Sequence, residues 1–181
     1  RDLRMSRGLG DVYKRQRFGI KDDVEDIKAH WNRMAYDKYT SEVKLKKGAK
    51  EFLARLKSDH ILAGIASSNS ETLINGVLKA EGVAEYFDAI TTACEAGAGK
   101  TAPDIYLLAA KKLGVRPEEC LVFEDIPMGI TAGNLAGMTT AAVEDDYSAL
   151  LRAEKYRLAD YYITDYRQVL DHTYEDLRGF K

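Results

Sequence analysis

The sequence has little of the material on which several protein classes depend. Its two cysteines, Cys94 and Cys120, lie in unrelated contexts, which argues against a disulfide framework and favours reduced thiols in a cytoplasmic protein. Its three histidines show no metal-ligand spacing. No apolar run approaches the ~20 residues that a transmembrane helix needs, and no secretory signal core lies near the start. We therefore expect no membrane partner.

An excess of charge of one sign is also lacking. Lysine and arginine number 27 and aspartate and glutamate 29, for a net charge of −2, so we expect no nucleic-acid partner. The 181 residues are 45% hydrophobic, which is enough for one domain with a substantial core and too little for two large ones. We expect a monomer.

The first 17 residues differ in character from the rest of the chain. They are basic, contain Gly8 and Gly10, and show no sustained apolar period. We interpret residues 1–17 as a non-native segment and leave them out of the fold prediction.

Apolar periodicity predicts helices and strands in alternation. An amphipathic helix is expected over residues 22–39 and a second from residue 49. Strands are predicted at 61–70, 87–92, 121–124, 139–143 and 161–164, and helices are predicted between them. This alternation predicts an α/β fold, with a Rossmann-like parallel sheet and helices on both faces.

Two adjacent carboxylates end one of the predicted strands. Glu124 and Asp125 follow the apolar residues Leu121, Val122 and Phe123. In an open α/β sheet, ligands bind at the carboxyl ends of the strands. Two carboxylates there suit a hard cation such as Mg²⁺, although ordinary solvated acids at a strand end would give the same pattern.

Two other strand ends carry groups suited to phosphate. Ser67, Ser68 and Asn69 follow the first strand at a predicted helix start, where hydroxyls and backbone N–H groups bind anions. Lys100 follows the next strand and would add a positive charge. Taken singly, the serines could only cap a helix and the lysine could be solvated. Together with the acid pair they indicate a phosphoryl-transfer site.

Three segments resemble motifs of one family. ASSNS (66–70), GKTAPDIYLLAAKKLGV (99–115) and CLVFEDIPMGITAGNLAGM (120–138) are similar to the second, third and fourth motifs of the haloacid dehalogenase superfamily, in its β-phosphoglucomutase and sugar-phosphate phosphatase branch. The resemblance implies a Mg²⁺-dependent phosphohydrolase of small phosphorylated metabolites, expected to be sugar phosphates, that works through an aspartyl-phosphate intermediate. A phosphomutase is the close alternative.

The resemblance also implies a role for each candidate residue. Residues 67–69 would bind the phosphate or substrate, with Ser67 donating to a phosphoryl oxygen. Lys100 would steady the charge of the phosphoryl group and the nucleophile. Asp125, with Glu124 beside it, would hold Mg²⁺.

The family's nucleophile motif has no counterpart in this sequence. That motif is DxDGT-like and ends a strand, whereas Asp22, Asp23 and Asp26 follow no apolar strand. The resemblance thus implies that the first central strand is missing, that residues 18–45 are a remnant of a small helical cap, and that residues 46–181 form the core. We expect such a chain to be marginally stable or aggregation-prone, and a non-catalytic fragment is a further alternative.

A nucleotide-binding P-loop is the main rival interpretation. GAGKT (97–101) lies between a predicted strand and a predicted helix, as GxxxxGK[ST] should. The first glycine of that motif would, however, fall on Cys94, so the phosphatase interpretation is preferred.

Overall fold

The computed structural model describes residues 23–97 and 103–180. Within these ranges the α-helices are α1 (Val24–Ser41), α2 (Ala49–Ser58), α3 (Glu71–Glu81), α4 (Asp104–Leu113), α5 (Pro127–Leu135), α6 (Arg152–Leu158) and α7 (Arg167–Leu170). The strands are β1 (Gly64–Ser67), β2 (Ala89–Thr92), β3 (Leu121–Glu124), β4 (Thr139–Val143), β5 (Tyr161–Ile163) and β6 (Glu175–Asp176). The strand–helix alternation confirms the α/β fold predicted from the sequence.

The strands form two hydrogen-bonded groups. β1 pairs in parallel with β2, so that Ser67 lies opposite Thr92. The second group has the order β3-β4-β5-β6, with parallel pairing from β3 to β5 and an antiparallel edge strand β6. Among the described residues, β1 and β3 each pair with a single strand, which leaves an opening between the two groups.

Helices on both faces join the two groups into one layer. Ala66 of β1 and Val122 of β3 both pack against the cluster that contains Tyr106 of α4. On the other side, Leu53 of α2 and Ile65 of β1 both pack against the buried cluster that contains Ile74 and Leu78 of α3. The ring of Phe52 of α2 lies 5.4 Å from that of Phe123 of β3. Successive strand residues point to opposite faces. Hence α4 lies on one face of both strands, and α2 and α3 lie on the other.

Local signals place several helix ends where the sequence predicted them. The Ser70 hydroxyl accepts a hydrogen bond from the Leu73 amide at 3.3 Å and caps α3. Gly82 ends α3 with φ at 62°, in the left-handed region that glycine adopts without strain.

Other bounds differ from the prediction. The run 61–70 was predicted to be a buried strand followed by a helix N-cap. In the structure β1 begins only at Gly64, and Ile61 and Leu62, which precede it, are 52% and 49% exposed. The helix predicted over residues 148–159 begins in the structure as a 3₁₀ helix over residues 146–151, and α6 follows it. The short elements α7 and β6 were not predicted from the sequence.

Several sequence predictions fall outside the described residues. Residues 1–22, 98–102 and 181 lie there, so Lys100, the segment 1–17 and the GAGKT loop stay predictions. The proposed division between residues 45 and 46 falls in the connection between α1 and α2 and also stays a prediction. In the two described ranges, Cys94 and Cys120 are free thiols, and none of the helices has the length and apolar character needed to cross a membrane.

Candidate active site

Glu124 and Asp125 stand at the carboxyl end of β3 and are both half-buried. The Tyr106 hydroxyl of α4 donates to Oε1 of Glu124 at 2.5 Å. Tyr106 is only 7% exposed, because it belongs to the buried apolar cluster between α4 and the strands β1 and β3. A contact between α4 and β3 therefore orients one of the two candidate cation ligands.

Gly129 of α5 gives the Glu124 carboxylate room on another side. A Cβ at position 129 would lie 2.3 Å from Cδ of Glu124 and 2.4 and 2.7 Å from its two oxygens. Gly129 is buried in the first turns of α5, the helix that begins with Pro127. The absence of a side chain at this position is therefore required for the observed place of the Glu124 carboxylate.

A chain of hydrogen bonds supports the backbone at Asp125. The Ser148 hydroxyl donates to the carbonyl oxygen of Asp125 at 2.6 Å. Nζ of Lys155 donates to Oγ of Ser148 and to the carbonyl oxygen of Val143, each at 3.0 Å. The Lys155 side chain is fully buried, so the carboxyl ends of β3 and β4 are joined through one buried ammonium group.

The acid pair affects the titration of its neighbours. Burial, and then the negative charge of Glu124, raises the pKa of Tyr106, so its hydroxyl stays protonated and acts as a donor. Burial followed by the charges of Asp125 and Glu124 raises the pKa of Tyr166 to about 12. Burial lowers the pKa of Lys155, while Glu144 and Asp125 oppose that shift. Both carboxylates therefore raise the pKa values of Tyr106 and Tyr166, and Asp125 also acts on Lys155.

The serine-rich segment lies at the end of β1. Oγ of Ser67 accepts a hydrogen bond from the Asn69 amide at 3.1 Å. Ser67 is half-buried, whereas Ser68 and Asn69 are exposed. The residue that caps α3 is Ser70, so helix capping does not account for the hydroxyl group at Ser67.

The predicted site residues fall into three sets. Glu124 and Asp125 lie together at the end of β3, and Ser67 lies at the end of β1, in the other group of strands. Ala66, next to Ser67, and Val122, two residues before Glu124, pack against one cluster that contains Tyr106 of α4. Lys100 is outside the described residues, so the full arrangement of the four predicted groups stays a prediction.

The acid pair fits a hard cation in its chemistry. Both candidate ligands are carboxylates, and Mg²⁺ is commonly held by one or two carboxylates together with waters and substrate phosphate oxygens. Across residues 23–97 and 103–180, no group of three or more His, Cys, Asp or Glu side chains is arranged around a common metal position. Glu124 and Asp125 would therefore supply part of a coordination shell.

Sequence reasoning missed the residues that orient the acids. Tyr106 occupies the apolar stripe of a predicted helix, where an aromatic residue is explained by packing alone. Ser148 and Lys155 lie in a segment predicted only as helical. The one signal in the sequence was Gly129, because a glycine inside a helix often marks a close approach of another group.

Comparisons with known proteins point to one family. A model described as haloacid dehalogenase-like hydrolase matches residues 7–137. The Bacillus subtilis (strain 168) protein named "Putative phosphatase YhcW" is 33% identical over 162 residues, which cover 88% of this chain and 73% of that protein. The "Phosphorylated carbohydrates phosphatase" of Thermotoga maritima is 31% identical over 119 residues, covering 66% of this chain and 55% of that protein.

A solved structure shows the same similarity. The β-phosphoglucomutase (pgmB) of Clostridium difficile matches with a TM-score of 0.66 at 26% identity, over 81% of this chain and 63% of that one. The matched region is thus under two thirds of that enzyme and of the Thermotoga maritima phosphatase.

Proposed function

The chain belongs to the haloacid dehalogenase-like hydrolase family, a family of hydrolase enzymes, and we propose that it forms the core of a Mg²⁺-dependent phosphohydrolase. The substrates are small phosphorylated metabolites, with sugar phosphates as the expected class. The name of the similar Thermotoga maritima protein, "Phosphorylated carbohydrates phosphatase", supports this substrate class, and the name of the Bacillus subtilis protein supports a phosphatase.

The observation that carries the proposal is the built environment of the acid pair. Tyr106 and Gly129 hold the Glu124 carboxylate in one place, and Ser148 holds the backbone of Asp125. A solvated acid pair at a strand end needs no such support, whereas cation ligands do, because coordination tolerates displacements of only ~0.2 Å.

The proposed reaction passes the phosphoryl group to an aspartate and then to water. Ser67 donates to a phosphoryl oxygen, residues 68–69 contact the phosphate or substrate, and Lys100 balances the charge of the phosphoryl group. Glu124 and Asp125 would hold Mg²⁺, which when bound would neutralise charge on the phosphoryl oxygens. The nucleophilic aspartate and the general acid/base lie on a DxD segment for which this sequence has no candidate.

A phosphomutase is the second candidate, and the similarity to β-phosphoglucomutase supports it. The two reactions share the aspartyl-phosphate step and differ in the acceptor, which is water for a phosphatase and the sugar for a mutase. Product analysis separates them, because only the phosphatase releases inorganic phosphate in proportion to substrate consumed.

The test joins this chain to an upstream strand that carries a DxDGT-type motif and measures phosphate release from a panel of sugar phosphates. Asp125→Asn and Lys100→Ala should each lower turnover by at least about 100-fold, as expected for groups that balance transition-state charge. Leu135→Gln, which changes a side chain that is 65% exposed, serves as the control and should keep full activity. Near-full activity in either site variant would show that the site is misplaced.

A further inference from the structure

We infer that Lys155 is a positioning residue that makes the Ser148 hydroxyl donate to the Asp125 carbonyl oxygen, and so holds Asp125 in place to bind the cation. This inference rests on the proposed function, because it takes Asp125 as a cation ligand. Lys155 is fully buried and Ser148 is 4% exposed, so neither is expected to touch the cation or the substrate.

The groups around Lys155 give this chain of hydrogen bonds one direction. Nζ of Lys155 lies 3.0 Å from the carbonyl oxygen of Val143 and 3.0 Å from Oγ of Ser148. An ammonium group has three N–H donors and no acceptor, and Oε2 of Glu144, 4.0 Å away, favours this charged form. Oγ of Ser148 therefore accepts from Lys155, and its single hydrogen is left for another acceptor.

The Ser148 hydroxyl has two carbonyl oxygens near it. That of Asp125 lies 2.6 Å from Oγ, and that of Asp145 lies 3.4 Å from it. A hydroxyl usually donates over about 2.5–3.0 Å, so the hydrogen goes to Asp125. Without the Lys155 ammonium group, Oγ is no longer held in this position, and the hydroxyl can turn to Asp145.

The hydrogen bond to Asp125 restrains the backbone from which its side chain extends. The carbonyl belongs to the planar peptide that joins Asp125 to Ile126, in the turn between β3 and α5. Fixing this peptide plane fixes the ψ angle of Asp125, and with it the direction of the side chain. Groups that orient metal ligands in this way commonly contribute about 10–100-fold to metal affinity.

The test is Lys155→Met and Ser148→Ala in the full chain, with two measurements. The carbonyl-carbon NMR resonance of Asp125 reports its hydrogen bond in the absence of any cation. Water-proton relaxation gives the affinity for Mn²⁺, which is the probe of the cation site. We expect the resonance to shift in both variants and the Mn²⁺ affinity to fall by about tenfold or more in each.

The double variant distinguishes positioning from a general loosening of the fold. If Lys155 acts through Ser148, the double variant should lose no more Mn²⁺ affinity than Lys155→Met alone. Two independent structural effects would instead add. The Nζ resonance of Lys155 in the original chain gives a check that needs no variant, because a neutral amine at pH 7 could accept from Ser148.

Two further variants serve as controls. Lys112→Met removes a lysine that donates to the carbonyl oxygen of Ile90 on β2 at 2.6 Å, and it should leave both measurements unchanged. Asp125→Asn should abolish Mn²⁺ binding. Far-UV circular dichroism in one sucrose buffer establishes that each variant is folded.

The outcomes separate the inference from the proposed function. If Asp125→Asn abolishes Mn²⁺ binding but Lys155→Met keeps the Asp125 resonance, or keeps an affinity within about twofold of the original, the inference is wrong and the site stands. A neutral Lys155, additive losses or an equal change in Lys112→Met would also overturn it. If Mn²⁺ does not bind the original chain, or binds Asp125→Asn equally well, the proposed cation site is wrong and the inference falls with it.

Discussion

Replacing Gly129 with alanine should displace the Glu124 carboxylate, and so weaken cation binding, without unfolding α5. The added Cβ would lie 2.3 Å from Cδ of Glu124, whereas ordinary van der Waals contact begins at 3.4 Å, so the carboxylate must retreat by about 1.1 Å. The obstructing atoms end a flexible side chain, so α5 should keep its place while Glu124 moves.

Two effects of Gly129→Ala on the free energy of unfolding have opposite signs. Alanine in place of a glycine in the middle of a helix stabilises by roughly 0.5–1 kcal/mol. Gly129 is the third residue of α5, so the gain there is at most about 1 kcal/mol. Loss of the Tyr106 hydrogen bond to the charged carboxylate costs about 1.5–3 kcal/mol. The net change should be a destabilisation of about 0.5–3 kcal/mol. A displacement of about 1.1 Å exceeds the tolerance of Mg²⁺ coordination and should weaken cation binding at least tenfold.

Gly133→Ala is the matched control, because it adds the same methyl group to the same helix. Its Cβ would meet Cγ2 of Thr140 at 2.9 Å and Cβ of Val122 at 3.5 Å, so its nearest contacts are not with the acids. Mn²⁺ relaxation titration and urea unfolding of both variants give the comparison. Original affinity in Gly129→Ala, or an equal loss in both variants, would refute the reasoning.

Three further predictions concern stability. Lys155→Met removes the donor from two acceptors, the Val143 carbonyl oxygen and Oγ of Ser148, and should lower the free energy of unfolding by about 2–4 kcal/mol, more than Ser148→Ala. Urea unfolding midpoints, measured for all variants in the same sucrose buffer, test this. A loss below ~0.5 kcal/mol for Lys155→Met would contradict a stabilising role for these two hydrogen bonds. The Lys46 hydrogen bond lowers the pKa of Asp145 below its usual 3.8, so its stabilising contribution is complete above that pH and is lost as the pH falls through the lower, folded-state pKa. Accordingly, the stability difference between the original chain and Lys46→Met should shrink on going from pH 6 to pH 3. Finally, the isolated chain should show a broad thermal transition or aggregate, and a sharp, reversible transition without any added segment would contradict this.

The sequence predicted the order of helices and strands because those signals are local. Ser70 and Gly82 mark the ends of α3, and the run before Glu124 identifies β3, each from a few neighbouring residues. The acid pair was found in the same way, since its meaning depends on the end of one strand. The predicted bounds of strands were less accurate. The start of β1 is an example, because the exposure of Ile61 depends on the packing of the whole domain.

The supports of the acid pair could not be predicted because they come from distant parts of the chain. Tyr106 reaches Glu124 from α4, and Ser148 reaches the backbone of Asp125 from the 3₁₀ helix after β4. Such contacts depend on the angles at which helices pack on strands, which apolar periodicity does not encode. Apolar periodicity identifies Tyr106 as a core residue. This is correct for its ring, but periodicity gives no information about the partner of its hydroxyl.

The opening between β1 and β3 connects the stability of the fold with the function of the site. In a parallel ladder, alternate residues direct both backbone groups to one neighbour, so two four-residue edges offer about eight such groups. At ~1–3 kcal/mol for each group left buried and unpaired, their cost would match or exceed the ~5–15 kcal/mol that stabilises a typical domain. These edges must therefore be hydrated or paired with a further strand. Such a strand would end beside Ser67 on one side and Glu124 on the other, so one segment could both complete the sheet and place a nucleophile between the phosphate-binding and cation-binding residues.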